Sequence, residues 1–148
     1  MDLKTFLSVL LVYRSNFHVI HWMAEGKNFF TIHAKAAEYY EQLLEDADKV
    51  AEMNMRLGGT PLNYVEVFNK IKESNKHFVI LKSDEYYTKE DIVNYTDNIL
   101  ATILEVIEEA LQKEEIANNI KNVGIKADLE SMHSAIDLQY RYLNERRK

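Results

Sequence analysis

A helical pattern of apolar residues runs unbroken from about Thr31 to Leu57, with glycine before and after it. Ile32, Ala36, Tyr39, Leu43, Ala47, Val50, Ala51 and Leu57 recur at the spacing of one helix face. Glu25-Gly26-Lys27-Asn28 precedes this helix as a turn, and Gly58-Gly59-Thr60-Pro61 follows it as a stop. The chain has only four glycines and one proline, too few for a β-rich fold with many tight turns. They fit long helices with few breaks.

The rest of the chain repeats the pattern. Leu3, Phe6, Leu7, Leu10, Phe17 and Ile20 predict a first helix from about Leu3 to Ala24, ended by Gly26. A shorter amphipathic stretch, Leu62 to Lys72, leads toward a loop at Lys82-Ser83-Asp84. A third long helix starts near Thr88, where Thr88-Lys89-Glu90-Asp91 has the spacing of a capping box. It runs to about Lys113. Asn118-Asn119 and Asn122-Val123-Gly124 mark the next break, and a last helix spans about Lys126 to Glu145. The predicted fold is all-α: a four-helix bundle with a short extra helix in the crossover between the second and third long helices.

The 148 residues suffice for one domain with a sizeable core, so 1–148 is read as a single domain. A net charge of −6 disfavours non-specific binding to phosphate backbones and suits a cationic partner. The absence of cysteine excludes disulfides and thiolate metal sites. The apolar run Phe6 to Tyr13 is followed at once by Arg14, Asn16 and His18, which reads as a helix start and not a signal peptide. No run reaches the ~18 apolar residues of a membrane span. The expected location is the cytoplasm.

Four residues in the first third can hold a metal: His21, His33, Asp48 and Glu52. Two imidazoles and two carboxylates form a mixed N/O set that suits iron, zinc or manganese. Asp48 and Glu52 are four residues apart and share a helix face. His33 lies fifteen residues before Asp48, roughly 22 Å along a helix at ~1.5 Å per residue. One helix cannot close that set. A second copy lying antiparallel, on a two-fold axis near Glu41 or Gln42, brings its Asp48 and Glu52 level with His33 to within about one turn. His21 needs only the Gly26 turn to fold back beside His33. Glu38, Glu41, Glu45, Asp48 and Glu52 are spaced 3, 4, 3 and 4, an acidic stripe that is easiest to explain if it faces cations. Trp22 adjoins His21. Packing is its ordinary role; beside a redox metal it is also an oxidisable neighbour that can intercept radicals. His18, His77 and His133 read as hydrogen-bonded structural residues.

The stretch His21-Trp22-Met23-Ala24-Glu25-Gly26-Lys27-Asn28-Phe29-Phe30-Thr31-Ile32-His33, followed by Asp48 and Glu52, resembles the ferroxidase signature of the Dps family, the mini-ferritins. Leu57-Gly58-Gly59-Thr60-Pro61 is similar to that family's end to the second helix. The resemblance implies a ferritin-like bundle assembled as a homo-oligomeric shell, a dodecamer. It implies oxidation of Fe(II), typically by hydrogen peroxide, with ferric iron stored inside as protection against oxidative damage. It also implies that the two histidines come from one subunit and the two acids from its two-fold mate.

Some positions depart from the family pattern. Many members carry acids after the second histidine that seed mineral; here Ala34, Lys35, Ala36 and Ala37 stand there, with Glu38 and Glu41 as substitutes. Of the acids that line an iron pore before the last helix, only Asp128 matches, beside Gly124 and Lys126. Where a C-terminal aromatic cluster commonly includes Trp, this chain has Tyr140 and Tyr142 around Arg141. These departures keep a second reading in view, a shell that mineralises little. DNA binding in the family often uses a Lys-rich tail, which the N-terminus here does not supply. Arg141, Arg146, Arg147 and Lys148 form a small basic end that favours a helix C-terminus. Nucleic-acid compaction is the third reading.

Overall fold

The structure, a computed structural model, describes residues 3–73 and 80–146. His77, Arg147 and Lys148 lie outside the described residues. Among the described residues six α-helices follow one another: α1 (Leu3–Met23), α2 (Phe29–Arg56), α3 (Tyr64–Glu73), α4 (Lys89–Leu111), α5 (Glu114–Ala117) and α6 (Val123–Arg146). Among the described residues there is no strand, only an isolated bridge between Ala24 and Tyr87. No helix there is long and apolar enough to cross a membrane.

Leu3–Asn94 forms one compact unit. Its base is the α1–α2 hairpin. Leu3, Phe6, Leu7, Leu10, Phe17 and Ile20 are all buried, as their spacing predicts. Each large side chain of this kind contributes about 1.5–3 kcal/mol when fully buried. On α2, Ile32, Ala36, Leu43, Ala47 and Val50 are buried, and Phe17 stacks on Tyr39 with ring centroids 4.9 Å apart. Gly26 makes the hairpin turn at φ +97°, a left-handed conformation that costs other residues energy. At the far end of α2, Gly58 at φ +84° lets the chain reverse, and the N–H groups of Leu57, Gly58 and Gly59 bond to the last helical carbonyls.

The crossover is fastened to this hairpin at two heights. Leu81 donates its backbone N–H to the buried Asn16 side chain at 3.2 Å. Tyr87 donates its N–H to Met23 at 2.8 Å, and its carbonyl accepts from Glu25 at 3.0 Å. Its hydroxyl closes the loop on the Lys82 carbonyl at 2.7 Å. Thr88 then caps α4: the Asp91 carboxylate accepts from the Thr88 N–H at 2.8 Å, and the Thr88 hydroxyl accepts from the Asp91 N–H at 3.3 Å.

The stretch from Tyr95 onward forms the second compact unit. Ile99, Ile103, Val106 and Ile107 of α4 and Ile125, Leu129 and Ile136 of α6 are buried there. Asn144 donates to Asp97 at 2.8 Å, and His133 donates to Glu108 at 3.0 Å, a structural hydrogen bond of the kind its sequence context predicts. The break before the last helix differs from expectation. Asn119 caps a short 3-10 turn, Ile120–Asn122, by accepting from the Lys121 N–H, and that turn feeds straight into α6. Gly124 therefore sits inside the first turn of α6 rather than ending a loop.

Candidate metal centre

The last turn of α1 carries His21 and the second turn of α2 carries His33. The Gly26 turn lays these two turns side by side. The His21 Nδ1–H donates to the His33 carbonyl at 2.7 Å, and the His33 Nδ1–H donates to the His21 carbonyl at 2.7 Å. Their rings stack at 3.6 Å between centroids, 20° from parallel. A carbonyl oxygen only accepts, so each Nδ1 must carry the proton. In the neutral imidazole each Nε2 then presents its lone pair, the form that binds a metal, with its partner's backbone as the orienting group. The aromatic wall around the pair is Phe29, stacked on His33 at 5.4 Å, and Tyr40, edge-on to His21 at 5.6 Å.

The carboxylates are elsewhere. Asp48 and Glu52 stand exposed on α2, as do Glu38, Glu41 and Glu45, so the acidic stripe is a solvent face of this chain. Lys35 pairs with Glu38 at 3.0 Å at one end of it. Among the described residues no group of three or more potential ligands meets within one chain. The chain alone thus brings His21 and His33 together and keeps Asp48 and Glu52 on a separate surface.

Trp22 is 63% exposed, and its ring lies 3.8 Å from that of His18. His18 was expected to be a hydrogen-bonded structural histidine; instead its ring meets those of Trp22 and Tyr40, the latter at 4.7 Å, each tilted by about a third of a right angle. Burial, then the charges of Arg14 and His21, hold its imidazole below the ordinary histidine range. The Arg14 guanidinium lies 5.9 Å from the Tyr40 ring centroid. Sequence reasoning missed Tyr40. The available signal was its place two turns after His33 on α2, with His18 one turn before Trp22 on α1.

This order of helices and this histidine pair define a class. The ferritin-like domain family matches residues 3–147, and the chain belongs to that family. Relatives that it matches include DNA protection during starvation (Dps) proteins. A DNA protection during starvation protein from Listeria innocua is 38% identical over 72 residues, 46% of this chain and 46% of that protein. The chain thus matches about half the length of that curated relative. The crystal structure of Dps from Staphylococcus aureus superposes with a TM-score of 0.77 at 22% identity, covering 97% of this chain and 90% of that one. A Vibrio cholerae Dps, described as a member of a broad superfamily of ferritin-like diiron-carboxylate proteins, reaches 0.81 at 21% identity, covering 99% and 86%. The fold is ferritin-like, with α3 as the extra helix of the crossover.

Proposed function

We propose that this protein is a single-domain cytoplasmic mini-ferritin that oxidises Fe(II) with hydrogen peroxide at sites shared between two subunits. It stores the ferric product inside a hollow homo-oligomeric shell, a dodecamer. The reading rests on one observation: the reciprocal His21–His33 pair presents two oriented imidazoles, while Asp48 and Glu52 stand exposed and out of reach on the same chain. A two-fold mate supplies the missing acids. Iron is the substrate. Two ferrous ions each lose one electron; peroxide takes both with two protons and leaves as two waters. The histidines select the ion and the carboxylates neutralise it. Zinc or manganese would compete for the same ligands.

Subunit mixing tests the shared site. His33→Ala and Asp48→Ala assemblies should each lose the fast rise of ferric absorbance that follows anaerobic Fe(II) and peroxide. A hybrid interface has one intact site and one doubly damaged site. Random co-assembly should therefore restore roughly a quarter of the wild-type amplitude, since half the interfaces are hybrid and each revives one site of two. Unchanged rates in both variants would refute the ligand assignment, and no recovery on mixing would refute the sharing.

A second reading, a shell that mineralises little, draws on the ion pair between Lys35 and Glu38. One of the two acids that would substitute for the family's nucleation residues is already neutralised. That reading predicts intact assembly with no mineral core after iron loading.

A further inference from the structure

Among the described residues Arg14 meets no carboxylate. Its guanidinium lies 5.9 Å from the Tyr40 ring centroid, and its Nε is buried without a hydrogen-bond acceptor. A cation partly withdrawn from water without a counter-charge is destabilising. One residue after Tyr40, Glu41 is exposed, and Leu44 is exposed one turn further on. Lys35 takes Glu38 at 3.0 Å, and Glu41 meets no cation among the described residues. At about 100° per residue, Glu41, Leu44 and Asp48 lie within roughly a quarter-turn of His33 on the α2 surface. They belong to the face that would meet a second copy. Beside Arg14 a cavity of about 250 Å³ opens, bounded by Leu11, Ser15, His18, Tyr64 and Ile80. Apolar walls with an unpaired cation suit an occupant that brings an acid and an apolar group together.

The antiparallel pairing about an axis near Glu41 or Gln42 selects that occupant. His21 lies level with His33, and Phe17 with Tyr39. Seven residues back from His21, or three from Phe17, Arg14 is therefore level with Tyr40 to Gln42 of its own α2, at the height of the axis. There each α2 passes its own counterpart. We propose that Arg14 clasps Glu41 of the partner subunit, while Leu44 of the partner subunit enters the cavity beside it. By symmetry the clasp forms twice, close to the dyad. The proposal rests on the shared site inferred above and adds what sets its register. A slip of one helical turn would move Asp48 and Glu52 of the partner subunit by about 5.4 Å along the axis, out of reach of a metal on His33. An apolar contact tolerates such a slip, whereas paired charges at the axis oppose it. Arg14 is thus a positioning residue and not a metal ligand.

Charge reversal tests the clasp on the full chain with all four ligands intact. Arg14→Glu sets two acids against each other across the axis, and Glu41→Arg sets two cations. Sedimentation velocity on a dilution series should show each variant, alone, separating into subunits at a concentration at least about tenfold above that of wild type. The fast ferric phase after Fe(II) and peroxide should fall with assembly. Mixing the two variants is decisive. In a hybrid dimer both pairs become attractive again, so the equimolar mixture should regain assembly and most of the fast phase. A pairing inside one chain would gain nothing from mixing. Circular dichroism checks that each variant folds. If a reversed variant does not, the neutral pair Arg14→Gln and Glu41→Gln replaces it: each should loosen assembly, and the double variant should be no looser than either single one. Variants that assemble like wild type, folded reversed variants that do not recover on mixing, or additive neutral variants would overturn the clasp. Wild type that assembles but never oxidises Fe(II) would defeat the proposed function instead, with the assembly results still deciding the clasp.

Discussion

The imidazoles of His21 and His33 each donate to the other's backbone carbonyl at 2.7 Å, so each residue's backbone fixes the orientation of its partner's ring. Removing one ring should therefore cost more than one ligand. His33→Ala leaves the His21 carbonyl without its donor at the hairpin turn, a loss of about 1 kcal/mol. His21→Ala does the same to the His33 carbonyl. Each variant should show a lower denaturation midpoint as well as losing Fe(II) oxidation. Asp48→Ala, on an exposed face, should lose oxidation with the midpoint of the isolated subunit unchanged. Urea unfolding beside stopped-flow absorbance separates the two effects.

Much of the hairpin is legible in the sequence because burial and helical period coincide there. Most of the apolar positions read on α1 and α2 are buried, with Tyr39, Ala51 and Leu57 half-buried, and the Gly26 and Gly58 breaks are real turns. The Thr88–Asp91 capping box forms. Gly124 misled because glycine also fits a helix's first turn, where Asn119 had already set the chain direction through the 3-10 turn. The contact of His18 with Tyr40 escaped because it joins residues of two helices whose rotation about their axes is set only by packing. Within one chain the histidines and the Asp48–Glu52 pair stay apart, so their proposed meeting needs a second copy.

The end of α2 predicts two glycine variants of different cost. Gly58 has φ +84° with open space around it, so Gly58→Ala meets only backbone strain, about 1–2 kcal/mol. At Gly59 an added Cβ would lie 2.7 Å from both terminal atoms of Asn54, whose amide donates to the Thr60 carbonyl at 2.8 Å. Gly59→Ala must displace that buried side chain and break its bond. The clash disappears in Asn54→Ala. A double-mutant cycle on unfolding free energies should therefore show positive coupling for Gly59→Ala with Asn54→Ala, and none for Gly58→Ala with Asn54→Ala.

The strap at Tyr87 predicts a link between the crossover and the hairpin turn. Tyr87→Phe removes the hydroxyl bond to Lys82 but keeps the backbone bonds to Met23 and Glu25, at a cost of about 1 kcal/mol. Thr88→Ala removes the α4 cap, also about 1 kcal/mol. Hydrogen exchange should report the difference in place. Thr88→Ala should speed exchange in the first turn of α4, while Tyr87→Phe should speed it at Glu25 and Tyr87. Equal exchange at Glu25 in wild type and Tyr87→Phe would show that the loop closure does not hold the strap.

Asp46 gives a pH dependence whose sign can be fixed. It follows Glu45 on α2, one residue off the acidic stripe, and that single step of about 100° turns it inward. It is 7% exposed, with Gln42 donating to it at 3.2 Å. Burial raises its carboxyl above the ordinary value of 3.8, opposed by the Gln42 bond and by Lys49. The folded chain therefore holds this proton more tightly than the unfolded chain. Below the ordinary value both states are protonated and the group has no effect. As pH rises through the window up to the raised folded value, the unfolded state ionises first and stability falls. Above the window the penalty is constant. Asp46→Asn cannot ionise and keeps an oxygen for Gln42. It should match wild type in acid, gain on it through the window, and unfold at a higher temperature at neutral pH. Calorimetry across pH reads this directly, and a variant less stable than wild type at neutral pH would mean that the Asp46 charge meets a compensating cation once subunits assemble.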